Sequence, residues 1–487
     1  MTAALLSTHD LFYGGGWQPP IAGSRALTHS PSTGAPLAEV ADATSADVDA
    51  AVRAARSGFL IWRDTPPAER ARILRETAAR IRANASELAA IDAADGGNPV
   101  EHLEHFAEVA AGSVDFFAGL VTEMKGTTIP MGPGRMNLSV REPFGVVARI
   151  VAFNHPLMFA VTRMAAPLAA GNALILKPSD QTPLSALRLA SLVGDLFPAG
   201  VFNVLTGGRE AGAALSVHPD IAMITLIGSV GTGKAIMKAA ADTLKPVLFE
   251  LGGKNALIAC PDADPDAVAD AAIAGMNFTW AGQSCGSTSR AYIHDDIHDA
   301  VTARLAERLQ SLHPGLPTER GTRMGAIVSK AQRDRILDFI HSAKEEGAQL
   351  ISGGMIPNDP ALGNGWFVLP TAFSGVTSDM RVAREEIFGP VLSILRWRDE
   401  AEMLEAVNGT DFGLTGSIWT RDIDRALRLA GRVEAGYVWI NEVGKHFAGT
   451  NFGGYKQSGI GREEGLEELL AFTQQKNIHV RFQGNSK

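Results

Sequence analysis

Cysteine is nearly absent: the chain of 487 residues has two, Cys260 and Cys285. So few exclude a disulfide framework and fit a protein of the reducing cytoplasm. A basic surface is missing as well, since 53 acids face 44 lysines and arginines and the net charge is -9. Without a cationic stripe the chain is not a general nucleic-acid binder. No clean apolar run of membrane-spanning length exists. The most apolar stretch, Leu157 to Leu176, is broken by Arg163, Pro167, Gly171 and Asn172, which suit a buried helix, a turn and a strand. Met1 to Phe12 has neither the basic start nor the apolar core of a signal peptide. Internal repeats and low-complexity blocks are also lacking, and no metal is expected.

What is present is glycine, 51 of them, with 46% hydrophobic residues in a chain too long for one core, so two or more α/β domains are expected. Apolar residues recur at three and four positions from Ser45 to Phe59 and from Pro67 to Leu88, predicting amphipathic helices, and Ala89 to Ala111 continues in that style. Met136 to Arg141 alternates like an exposed strand and is a candidate for pairing with another subunit. Pro143 to Ala152 reads as a buried strand ending in Phe153-Asn154-His155, where Asn154 either serves a ligand or caps the next helix. A second strand, Ala173 to Lys177, closes on Pro178-Ser179-Asp180, and further strands run from Val201 to Leu205 and from Ile221 to Ile227. Strand and helix alternating through short Gly/Pro connections predict a doubly wound, largely parallel sheet.

The strand to Ile227 runs into Gly228-Ser229-Val230-Gly231-Thr232-Gly233-Lys234-Ala235. This almost spells a nucleoside triphosphate loop, but Ala235 has no hydroxyl to offer Mg²⁺. Nor is it a complete Gly-x-Gly-x-x-Gly fingerprint, because Ile236 stands at the third glycine. A glycine-rich strand-to-helix turn suited to a pyrophosphate survives both exclusions. Next, Pro246 to Leu251 ends an apolar strand in the acid Glu250, followed by Gly252-Gly253-Lys254. A carboxyl there is either an ion-pair partner or a tuned base. A helix capped by Asp264 leads to Phe278-Thr279-Trp280-Ala281-Gly282-Gln283-Ser284-Cys285-Gly286, in which the thiol sits between glycines. Cys260 lies in an apolar run and reads as packing.

Together these blocks resemble the aldehyde dehydrogenase superfamily over nearly the whole chain. Ala152-Phe153-Asn154, Lys177-Pro178-Ser179-Asp180 and Leu226-Ile227-Gly228-Ser229 are similar to family blocks, whereas Glu250 to Lys254, Gly282 to Cys285 and Glu385 to Val391 match intact. Phe452-Gly453-Gly454 and Gly461-Arg462-Glu463 complete the pattern. The resemblance implies two Rossmann-type α/β domains plus a small β oligomerisation element. Residues 1-122 and 142-251 would bind the cofactor, 252-450 would form the catalytic domain, 123-141 and 474-487 would supply oligomerisation strands, and 451-473 would return to the cofactor domain. It implies Cys285 as nucleophile, Asn154 as oxyanion donor and Glu250 as the base that activates water. Lys177 and Asp180 would hold the adenine ribose, Ser229 would meet the pyrophosphate, Glu386 with Phe388 would position the nicotinamide end, and Gly228, Gly233 and Leu251 would also bind the cofactor. The cofactor would be NAD, with NADP as the alternative because Asp180 is shorter than the usual glutamate. An apolar tunnel of Phe153, Met158, Phe159, Phe278, Trp280, Ser284 and Phe447 would suit aromatic or medium-chain aldehydes, and a homodimer or homotetramer is expected. The rival readings are a semialdehyde or betaine-aldehyde-type enzyme, an acylating enzyme that passes the acyl group to a thiol, a cysteine hydrolase pairing Cys285 with His155, and a catalytically silent homologue. An acid at Glu250 argues against the acylating type.

Overall fold

The computed structural model describes residues 8–482, so part of the Met1–Phe12 stretch and the end of the 474–487 segment lie outside the described residues. An eight-stranded sheet is ordered Gly459–Ile460, Val247–Glu250, Ile221–Ile227, Val146–Ile150, Ala173–Lys177, Phe202–Val204, Leu11–Tyr13, Gly16–Gln18. Its central strands are parallel, and their runs of Val, Ile, Leu and Ala are buried on both faces, as a sheet covered by helices on each side requires. The register sets Ile150 beside Lys177 and Leu226, and Ile227 beside Glu250, so four strands finish along one line. Open α/β sheets bind their ligands beyond such strand ends.

A second sheet, of seven strands, runs Gln349–Ser352, Thr371–Ser374, Val391–Trp397, Arg290–His294, Ala256–Ala259, Thr415–Trp419, Tyr437–Ile440, and only its Gln349–Ser352 edge is antiparallel. The third sheet pairs Thr473–Arg481 with Arg135–Pro143 over nine residues and adds the short exposed strand Thr128–Pro130. The apolar stretch that contains Arg163 forms the helix Pro156–Ala170, buried almost throughout and ended by Gly171 at φ 96°. Burying each large apolar side chain of such a helix contributes about 1.5–3 kcal/mol. No helix among the described residues is long and apolar enough to cross a membrane.

Several elements differ from their sequence signals. The periodic run from Pro67 onward is two helices, Pro67–Ala83 and Ala85–Gly96, broken at Asn84, whose side chain bonds back to the Arg80 carbonyl. A further break at Gly97-Asn98-Pro99 precedes the helix Val100–Gly119, because Gly97 adopts φ 82° and proline cannot continue a helix. The strand expected from Pro143 to Ala152 begins only at Val146, since Gly145 turns the chain at φ 136° out of the third sheet and into the first. The N-terminal strands, from Thr8–His9 through Pro36–Ala41, carry too little apolar alternation to announce themselves.

Two buried arginines connect distant parts of the chain. Arg149 Nη2 lies 2.6 Å from Glu463 Oε1 and its Nη1 3.0 Å from Glu468 Oε1, while Arg163 Nη2 lies 2.9 Å from Glu463 Oε2. All four side chains are buried, so removing one partner would strand the others without water.

Candidate active site

Cys285, Glu250 and Asn154 line one cavity of about 490 Å³ at the strand ends. Each reaches it differently. Asn154 follows the strand Val146–Ile150 and is buried, yet its Oδ1 has no partner; it does not cap the following helix, whose N-cap is His155 without a side-chain cap bond. Glu250 ends its own strand, held between Ile227 and the antiparallel Gly459, and its Oε1 is also buried without a partner. Cys285 is half-buried in a loop that is turned by the left-handed residues Asn277, Ala281 and Gly282. Asn255 clamps that loop, its Nδ2 donating to the carbonyls of Cys285 at 2.7 Å and Ser287 at 3.0 Å, while its Oδ1 accepts from Thr415 N–H at 3.0 Å.

The electrostatics follow from burial. Loss of water pushes the Glu250 carboxyl up to about 8, against the hydrogen bond with Cys285; Glu463 raises it further and Arg163 lowers it. The Cys285 thiol is raised well above its ordinary value, first by burial and then by the neighbouring Glu250 charge, with only the Gly286 N–H acting the other way. Cys285 is therefore a thiol at neutral pH, standing beside a carboxyl that is itself raised. His155 offers no alternative base. Burial depresses its imidazole to about 4, and its ring packs on Trp280 at 4.8 Å and Phe159 at 5.3 Å.

The cavity continues past Lys177, Asp180, Gly228 and Ser229, and shares Ile150, Lys177, Asp180 and Thr232 with a neighbouring cavity of about 670 Å³ that extends to Arg209 and Ser216. Ser229 caps the helix Val230–Ala241, and Ser229 with Thr232 lines the first cavity at that helix N-terminus, a suitable seat for a pyrophosphate. Gly233 lies under Leu251 instead, so it serves packing, and Gly231 and Thr232 line the cavity in its place. Lys234, the residue that made the turn look like a triphosphate loop, reaches Gln457 Oε1 at 2.7 Å. Buried Lys177 donates to the Pro178 carbonyl at 3.1 Å, and its ammonium is lowered by burial against the pull of Asp180 and Asp42. At the other end, Glu386 accepts from Gly253 N–H at 2.9 Å, and Phe388, at φ 56°, meets Phe153 edge-on at 5.5 Å. Gln332 and Arg335 bond the carbonyls of residues 386–388 and line the cavity; the sequence reading gave neither a role. No group of three or more candidate metal-binding side chains occurs among the described residues.

The expected substrate residues are not brought together as a group. Phe153 lines the cavity, and Ser284 stands half-buried beside Cys285. Phe278 does not wall a pocket: positive φ at Asn277 turns it into the core beneath the second sheet, where it is 2% exposed. Phe447 is 62% exposed on a surface loop. Met158 is half-buried against the core of the first sheet, where Phe159 is fully buried. Trp280 is buried in a ring cluster with Phe106 at 5.1 Å and His155, and Phe106 is an aromatic neighbour that the sequence gave no sign of.

Comparison with known proteins bears on this geometry. A model described as the aldehyde dehydrogenase family matches residues 17–478. The chain is 52% identical over 489 residues to aldehyde dehydrogenase tropH of Talaromyces stipitatus, covering 99% of this chain and 95% of that one. The NAD+ complex of an aldehyde dehydrogenase from Bacillus cereus is similar at a TM-score of 0.96 and 38% identity, covering 99% of this chain and 98% of the other. Betaine aldehyde dehydrogenase from Staphylococcus aureus, with NAD+ bound, is similar at 0.95 and 32%, with 98% of each chain covered. A match along nearly the full length to one family, and a fold shared with NAD-bound members of it, make this chain a member of the aldehyde dehydrogenase family, an enzyme that oxidises aldehydes with a nicotinamide dinucleotide.

Proposed function

We propose that the reaction runs through a thioester on Cys285 and releases a carboxylic acid. The observation that carries this reading is the convergence of Cys285, Glu250 and Asn154 on one cavity, with a buried carboxyl raised to about 8 beside the thiol. Glu250 takes the thiol proton as sulfur bonds to the aldehyde carbon. The carbonyl oxygen gains the charge and accepts from the Asn154 amide and the Cys285 N–H, each such donor typically contributing about 3 kcal/mol. Bound NAD supplies the hydride acceptor. Lys177 and Asp180 would hold its ribose, Ser229 and Thr232 its pyrophosphate, and Glu386 with Phe388 its nicotinamide end. Asn154 and Glu250, each with a buried polar atom that has no partner, line the cavity that such a complex needs. Loss of hydride from carbon leaves the thioester; Glu250 releases the thiol's proton to solvent, then takes one from water as the water oxygen adds to the acyl carbon, and the C–S bond breaks to give the acid and a Cys285 thiolate that takes the proton back from Glu250.

The substrate is an aromatic or medium-chain apolar aldehyde on this reading. Rings of Phe106, His155 and Trp280 gather next to Asn154, and Arg163, a cation nearby, is already paired with Glu463. The exposed Ile129, Ile478 and Phe482 on the third sheet support its use as a subunit contact in a homodimer or homotetramer. Turnover of benzaldehyde, hexanal, betaine aldehyde and succinic semialdehyde, followed by reduced-nicotinamide absorbance, tests the substrate. Preference for the two charged aldehydes would reject it, and a Cys285→Ala variant with full turnover would reject the mechanism.

A further inference from the structure

We infer that Asn98 is a positioning residue that sets the spacing between the oxyanion amide and the nucleophile. This rests on the proposed pairing of Asn154 with Cys285. Those two residues stand at the ends of different sheets, 131 positions apart in the chain, so their separation depends on what joins the two halves. The turn Gly97-Asn98 touches both. Asn98 Nδ2 donates to the Asn154 carbonyl at 2.9 Å, and the adjacent Gly97 carbonyl accepts from Ala326 N–H at 2.9 Å. The Ala326 carbonyl in turn accepts from Gln283 Nε2 at 3.3 Å, and Gln283 Oε1 accepts from Val328 N–H at 3.0 Å.

Gln283 is two residues from Cys285. The route therefore runs Asn154, Asn98, Gly97, Ala326, Gln283, Cys285, with every link a hydrogen bond or a short piece of backbone. Asn98 and Gln283 are each 2% exposed, so water cannot stand in for a lost partner. The backbones themselves are in contact: a Cβ on Gly325 would lie 1.9 Å from the Gly97 carbonyl oxygen. The Asn154 side chain makes no hydrogen bond within the protein, so its amide is aimed only by the backbone that Asn98 holds. Two neighbouring contacts steady the same loop without reaching the second sheet: Asp92 Oδ2 accepts from Leu157 N–H at 3.0 Å, and Thr182 Oγ1 donates to the Phe153 carbonyl at 3.3 Å. Asn98 is thus distinguished by lying on the bridge.

Stopped-flow measurement of the reduced-nicotinamide burst, at saturating NAD and benzaldehyde, tests this with the full-length Asn98→Ala and Asn98→Leu variants. The expected result is a burst rate constant per active site lowered about 10- to 100-fold, the effect of an oxyanion donor displaced by a fraction of an ångström to one ångström. Burst amplitude and the NAD dissociation constant stay at wild-type values. A wild-type burst rate constant in a folded variant overturns the inference, and so does a loss confined to burst amplitude or melting temperature. If both variants fail to fold, Gln283→Met, which cuts the other end of the bridge, must show the lowered burst rate constant or the inference falls. A wild-type burst from Cys285→Ala would refute the proposed thioester route instead.

Discussion

Replacing Glu250 with glutamine keeps the shape of the site and removes the carboxyl beside the thiol. The carboxyl is raised to about 8, so it is mostly protonated at neutral pH and becomes a base as the pH rises. For such a value the ionised fraction grows from roughly one tenth at pH 7 to roughly nine tenths at pH 9, about a tenfold rise in hydrolysis rate. In the variant the rise should vanish, and steady-state turnover should fall by about 10²- to 10⁴-fold, the usual worth of a positioned base. Multiple-turnover stopped flow from pH 6 to 10 separates the burst from the steady state. A variant with wild-type turnover and the same pH limb would refute the assignment. The same raised value has a consequence for stability. The folded protein keeps this proton where the unfolded chain has lost it, so the stabilisation is complete below the unfolded value of 4.5 and is lost as the pH rises through about 8. Glu250→Gln, which never ionises, should therefore gain melting temperature relative to wild type between those limits; a difference independent of pH would sink the argument.

Asn154→Ala should slow the burst about 10²- to 10³-fold while leaving NAD affinity intact, measured by pre-steady-state absorbance and by quenching of tryptophan fluorescence. Gly252→Ala places a Cβ 2.1 Å from Glu386 Oε2 and must displace that carboxyl; NAD binding should weaken roughly tenfold, about 1.4 kcal/mol, and an unchanged dissociation constant would remove Glu386 from the cofactor site. Arg149→Met leaves Glu468 buried without its cation and Glu463 with Arg163 alone. Urea unfolding should show a loss of about 3–5 kcal/mol, and an unshifted midpoint would mean that the cluster relaxes at no cost.

The parts legible in the sequence are those whose chemistry is local. The strands Ala173–Lys177 and Ile221–Ile227 stand where their apolar runs and flanking turns place them. Their ends carry Lys177, Gly228 and Ser229 to the cavity because a parallel sheet aligns its strand ends. Residues whose role depends on distant partners gave no signal. Arg149 drew no attention inside its strand and Arg163 looked like an interruption in an apolar run, since Glu463 lies 314 and 300 positions further on. Asn255 is silent for the same reason: its partners are backbone groups at 285, 287 and 415. Phe278 was misplaced for the opposite reason. Closeness to Cys285 in sequence suggested a pocket wall, but left-handed turns on both sides of Phe278-Thr279-Trp280 uncouple chain proximity from direction.

The strand that ends in Glu250 has as its outer neighbour not an early part of the chain but Gly459–Ile460, and Leu251 N–H is bonded to the Ser458 carbonyl at 2.8 Å. The segment supplying them also carries Glu463 and Glu468, and it is anchored further on by the nine-residue pairing of Thr473–Arg481 with Arg135–Pro143. During synthesis, therefore, thiol, amide and carboxyl have all left the ribosome long before the base has its final surroundings. Catalysis waits for the last stretch of polypeptide to be made and to dock, so a chain clipped before residue 459 would hold all three reacting groups and still be an unfinished enzyme.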